Sequence, residues 1–165
     1  MMKKGLKIFL GIAIPIILLI VVGVIILITT LFKDKTPLTA EEFKNTMTAK
    51  GYGVVDAASQ FSGYSYIKKA YIAINTERTY QIEFYELEND EYATSFYNNN
   101  KAQIEKNKSS NAVQTNNSVK NHSKYTLSSN GKYGVVSRIG NTVIYLQVAD
   151  TYKDTVKDIL KSIDY

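Results

Sequence analysis

From Ile8 to Phe32 the chain reads IFLGIAIPIILLIVVGVIILITTLF, 25 residues without a charge. As a helix rising about 1.5 Å per residue this run covers roughly 37 Å, more than the hydrocarbon core of about 30 Å. A helix satisfies its own backbone hydrogen bonds in lipid, so the pattern predicts one tilted transmembrane helix over residues 8–32. Residues 1–7 are then a short tail, and residues 33–37 (KDKTP) a polar linker. Pro15 and Gly23 inside the run are tolerated in membrane helices.

From residue 38 onward the periodicity changes repeatedly. Thr39 and Glu42 form a capping box, and Leu38 with Phe43 fits a hydrophobic staple. Phe43 and Met47 mark an apolar stripe and Gly51 a stop, which predicts a helix over 40–50. Tyr52–Asp56 reads as a short strand and Ala57–Tyr64 as irregular chain with a brief helical turn. Beyond Tyr66 the period is two: Ala70, Ile72 and Ile74, then Tyr80, Ile82 and Phe84 across an Asn75–Glu77 turn, predict a hairpin. Asn89 or Asp90 caps a second helix that carries Tyr92, Ala93, Phe96, Tyr97 and Ile104 on one side. Residues 107–123 are polar and predict a mobile loop, because they bury too little apolar surface to offset their ordering entropy.

A three-stranded meander follows. Tyr125–Ser129 and Lys132–Ile139 flank Asn130-Gly131, a strong hairpin signal, and Gly140-Asn141 leads to Thr142–Ala149. Asp150 caps a last helix whose stripe is Tyr152, Val156, Ile159, Leu160 and Ile163. The expectation is one α+β domain over 38–165 of order α-βββ-α-βββ-α, an antiparallel sheet with helices on one face. Tyr52-Gly53-Val54-Val55 recurs as Tyr133-Gly134-Val135-Val136, an echo compatible with an architectural repeat.

Charge sharpens the picture of the N-terminal run. Of the net +5, Lys3, Lys4 and Lys7 supply +3, leaving 17 basic against 15 acidic residues from Lys33 onward. That balance excludes an electrostatic footprint for nucleic acid. The lysines before the span outweigh the KDK after it, so the N-terminus is expected in the cytoplasm and 33–165 outside. Two other readings of the segment fit less well. The apolar run is long for a signal peptide, and no small-residue cleavage site follows it. The KKG opening resembles type IV pilin leaders, but Leu6-Lys7-Ile8-Phe9-Leu10 lacks their glutamate. Gly11 and Gly23 are too far apart for a G-x-x-x-G dimer face.

Candidate chemistry is sparse. The absence of cysteine removes disulfides, thiolate nucleophiles and cysteine metal sites, and one histidine makes no zinc set. His122 sits in the polar stretch, where a positioned general base is not expected. Glu83, Glu86, Glu88, Asp90 and Glu91 are close in sequence but lack the glycine around which a calcium loop wraps. No nucleophile elbow, phosphate loop, dinucleotide fingerprint or zinc-protease helix is present. No cofactor, metal site or catalytic residue is therefore predicted. Among the 13 tyrosines, Tyr64, Tyr66 and Tyr71 cluster near the irregular loop and an outward strand face. They are the candidate contact residues, since tyrosine offers a rigid plate with a polar tip.

The stretches TAEEFKNTMTAKGYGVVDA, QIEFYELEND and VVSRIGNTVIYLQV, with the terminal SIDY, resemble small single-span membrane proteins of low-GC Gram-positive bacteria. Their extracytoplasmic α+β domain has no assigned activity. The resemblance implies a fold and a location and transfers no site residue. The expected function is a membrane-anchored, non-catalytic binding or accessory domain. Its partners are the bilayer through residues 8–32 and another envelope protein or cell-wall component. A small-ligand or peptide sensor, and then an envelope enzyme, are the alternatives.

Overall fold

The computed structural model describes residues 18–27 and 33–165. The chain divides into two units, Met1–Lys33 and Asp34–Tyr165. In the first unit residues 18–27 are helical and their large apolar side chains, Leu18 through Leu27, are exposed. Residues 1–17 and 28–32, which hold the predicted tail and both ends of the predicted span, lie outside the described residues. Among the described residues no helix is long and apolar enough to cross a membrane.

The second unit is α+β and antiparallel. Its elements run α1 (Ala40–Ala49), β1 (Gly53–Asp56), β2 (Ile67–Ile74), β3 (Gln81–Leu87), α2 (Asp90–Glu105), β4 (Val113–Val119), β5 (His122–Ser129), β6 (Lys132–Ile139), β7 (Thr142–Ala149) and α3 (Lys153–Ser162). One sheet holds all seven strands in the order β1-β2-β3-β7-β6-β5-β4. Two meanders start at opposite edges and meet at β3 and β7, where Phe84 pairs with Ile144.

Local signals explain the boundaries. At α1 the Thr39 hydroxyl accepts from the Glu42 N–H at 3.2 Å, and the Glu42 carboxylate accepts from the Thr39 N–H at 2.8 Å. The Thr39 N–H, and then the Thr39 hydroxyl donating to the same carboxylate at 2.9 Å, hold the Glu42 carboxyl below its usual range. The helix closes with Gly51 at φ 86°, where the Gly51 N–H reaches the Thr48 carbonyl and the Tyr52 N–H reaches that of Met47. Asn130 and Gly131, at φ 52° and 72°, turn β5 into β6 in the left-handed conformation this tight hairpin requires. Asn89 caps α2 by accepting from the Tyr92 N–H at 3.0 Å. Asp150 opens a 3-10 turn, Asp150–Tyr152, ahead of α3 instead of capping that helix.

Three expectations need correction. The helices cover both faces of the sheet, not one. Against the first face, α1 and α3 bury Phe43, Met47, Val156 and Leu160 over Ile82, Phe84, Ile144 and Leu146. Against the second, α2 buries Ala93, Tyr97 and Ile104 over Tyr85, Leu127, Val136 and Val143. Strand β7 contributes to both cores in alternation, which is why its sequence is nearly continuous in apolar residues. Ile144, Leu146 and Val148 face the first core, while Val143 and Tyr145 pack into the second.

The polar stretch 107–123, read as a mobile loop, contains β4, paired to β5 from Val113↔Ser128 to Val119↔His122. Six of the seven β4 residues are exposed, so hydrogen bonding and not burial holds this strand, and no hydrophobic pattern announces it. The order is consequently α-βββ-α-ββββ-α. The Tyr-Gly-Val-Val echo falls on an edge strand, β1, and on an interior strand, β6. Since α1 and α2 also lie on opposite faces, the two halves are not equivalent by position.

Candidate functional site

The irregular chain between β1 and β2 folds into a compact corner. The Asp56 carboxylate accepts from the Ala58 N–H at 2.8 Å and starts the 3-10 turn Ala58–Phe61. Phe61 anchors the turn with its ring edge-on to Tyr85 at 5.4 Å, and Tyr85 in turn packs on Phe96 of α2 at 4.6 Å. Backbone bonds then fix the next residues: the Tyr64 N–H reaches the Phe61 carbonyl, the Ile67 N–H that of Tyr64, and the Glu88 N–H that of Tyr66.

This corner presents three tyrosines. Tyr66 lies flat on Tyr92 of α2, with ring centroids 5.0 Å apart and planes within 5°. Tyr64 meets Tyr66 edge-on at 5.8 Å. Tyr64 keeps 53% and Tyr92 43% of its surface exposed, so a rigid aromatic surface faces solvent. Beside it Lys68 pairs with Glu88 at 3.5 Å and donates to the Ser65 carbonyl at 3.2 Å. An aromatic plate with hydroxyl tips and a neighbouring ion pair can hold a partner by stacking and hydrogen bonds.

Of the three tyrosines expected from sequence, the structure brings together Tyr64 and Tyr66. Tyr71 is only 6% exposed and belongs to the core under α1. Its hydroxyl donates to Glu41 at 3.2 Å, and burial followed by the Glu41 hydrogen bond and charge raises its pKa. Helices cover both faces of the sheet, so the strand face that carries Tyr71 is not outward. Tyr92 replaces it in the cluster. The Asn89 cap, which fixes Tyr92 in the first turn of α2, was the signal that could have found it.

The remaining candidates are dispersed. Glu83 accepts from the Tyr85 hydroxyl at 2.6 Å, while Glu88 pairs with Lys68 and Asp90 and Glu91 lie in the first turn of α2. Among the described residues no group of histidine and carboxylates could hold a metal ion. His122 is half-buried at the start of β5, and its Nδ1 is buried without a hydrogen-bond partner among the described residues. Burial lowers its pKa first and nearby Lys35 adds to the effect, while Asp164 opposes it.

His122 adjoins a clamp on the linker. The Lys35 N–H donates to the Asn121 side chain at 3.0 Å, which donates back to the Lys35 carbonyl at 2.8 Å. The Lys35 ammonium reaches Asp164 Oδ1 at 2.9 Å. Tyr165 is buried against Thr142 and the Leu38 N–H, and burial pushes its phenol up to about 12.

Among the described residues, two grooves open to solvent border the sheet. One open groove of about 340 Å³ follows the β1 edge past Gly53, Val54, Asn75 and Arg78. A second, of about 510 Å³, lies among Ser109, Asn111, Ser128, Asn130 and Lys153. Between α2 and the sheet, at Ile104, Leu127 and Gly134, the free space is about 10 Å³, scarcely one water. Compared with known protein families, curated proteins and solved structures, the chain matches none.

Proposed function

We propose that this chain is a single-pass membrane protein of the bacterial cell envelope, with residues 8–32 in the bilayer and the N-terminus in the cytoplasm. Its α+β unit stands on the outer face as a binding or accessory module that performs no catalysis. The observation that carries this reading is the uncharged run Ile8–Phe32 with Lys3, Lys4 and Lys7 on its N-terminal side. The partner, another envelope protein or a cell-wall component, is engaged through the Tyr64–Tyr66–Tyr92 surface. Exposed tyrosines held in place by packing lose little entropy on contact, which supports that choice. The space beside Ile104, where the end of α2 meets the sheet, is only about 10 Å³ and too small for an enclosed ligand, which favours a surface contact.

Protease treatment of intact protoplasts tests the reading. Residues 33–165 are expected to be digested from outside while a cytoplasmic marker survives. Protection of that unit in intact protoplasts, with digestion only after lysis, would overturn the orientation.

A further inference from the structure

Sheets in soluble domains guard their edges with charge, proline, bulges or shortness. The β1 edge follows the rule, being four residues long and ending in Asp56. The β4 edge does not. It runs seven residues, VQTNNSV, without a charge, a proline or a break in its pairing to β5. Val113 at its start is 68% exposed.

The two-residue turn Lys120-Asn121 makes Val119 and His122 the closing pair of the β4–β5 hairpin. In such a hairpin the closing pair exchanges hydrogen bonds, and alternate residues of the strand point their amides away. The outward set on β4 is therefore Gln114, Asn116 and Ser118, three donors and three acceptors along the open edge.

That edge is complementary to itself. The strand has the same chemical types read in either direction: valine at both ends, polar neutral residues between, and Asn116 at the centre. Antiparallel pairing about a two-fold axis at Asn116 sets Asn116 opposite its own copy. Gln114 then meets Ser118, Thr115 meets Asn117, and exposed Val113 meets Val119. The outward amides fall in register as hydrogen-bonded pairs, and no like charges meet within the strand.

We propose that β4 is a homotypic docking edge, joining two copies of this chain into one continuous sheet through β4–β4 pairing centred on Asn116. Seven residues a side make a small interface, well below the standard size of about 1,600 Å², so the dimer is weak and forms where the chain is concentrated. The pairing does not depend on the tyrosine surface or on membrane topology.

Because the chain has no cysteine, single thiols report the register directly. The full chain in detergent micelles, at raised protein concentration, is treated with a short bismaleimide as Asn116→Cys, Gln114→Cys, Ser118→Cys, or Val55→Cys on the β1 edge. The expected result is covalent dimer from Asn116→Cys at several-fold the Val55→Cys level. Gln114→Cys and Ser118→Cys should crosslink strongly only when mixed with each other. Thermal unfolding like that of the parent chain establishes that each variant is folded. Equal crosslinking of Asn116→Cys and Val55→Cys, or strong crosslinking of Gln114→Cys alone, would overturn the proposal. So would a sharp loss of Asn116→Cys dimer on adding an unrelated extended peptide that itself becomes bound to β4 at low concentration, since the edge would then be a general peptide acceptor.

Discussion

The placement of α2 on the second face of the sheet makes Gly134→Ala a sensitive probe. A Cβ on Gly134 would stand 2.8 Å from Ile104 Cγ2 and 3.3 Å from Ile104 Cγ1. Ordinary carbon contacts begin near about 3.5 Å, so the new methyl demands about 0.7 Å of movement. Cγ2 belongs to a β-branched stem with one preferred rotamer in a helix, so relief has to come from the backbone of α2 or β6. Overpacking of this kind costs about 1–3 kcal/mol, against a gain of roughly 0.5–1 kcal/mol for replacing a strand glycine. The net expectation is a loss of about 1–2 kcal/mol, seen as a fall in Tm of roughly 4–7 °C. Thermal unfolding followed by tyrosine circular dichroism on the Asp34–Tyr165 unit measures it. Ile104→Ala alone should cost about 2–5 kcal/mol. In the double variant the added methyl occupies the vacated space, so the two losses should sum to more than the observed one. A neutral or stabilising Gly134→Ala, or strict additivity with Ile104→Ala, would refute the close approach of α2 to β6.

Two further outcomes follow from the same geometry. His122 is the only histidine, and its pKa is lowered in the folded chain by burial and then by Lys35. As pH falls through about 6.5 the unfolded chain takes up the proton first, so stability should fall on acidification through that value; His122→Asn should flatten that slope, and an unchanged slope would refute the assignment. Tyr92→Ala uncovers one face of Tyr66 at an exposed site, so it should alter stability by about 1 kcal/mol or less yet reduce retention of the envelope partner on the immobilised chain; undiminished retention would move the contact elsewhere.

Much of the fold was legible because its signals are local. Thr39 and Glu42, Asn89, and the Asn130-Gly131 turn act within a few residues, and each appears where those residues place it. The strands β6 and β7 were bounded correctly by their turns. What escaped was non-local. The second face of β7 is defined by α2, which lies far upstream in the sequence, and Val143 and Tyr145 look the same whether or not a helix covers them. Strand β4 exists by pairing with β5 while its side chains stay in water, so composition reads it as loop. The candidate site divides along the same line. Tyr64 and Tyr66 are sequence neighbours and were found together, whereas Tyr92 joins them only through the docking of α2.

The proposed topology has Ile8–Phe32 in the bilayer and the folded unit outside. A chain without cysteine allows that to be measured with one thiol at a time. Ser110→Cys lies on the exposed loop between α2 and β4, and Lys4→Cys lies in the tail. A membrane-impermeant maleimide applied to intact protoplasts is predicted to label Ser110→Cys at once and Lys4→Cys only after lysis. Labelling of Lys4→Cys in intact protoplasts with Ser110→Cys protected would contradict the claim.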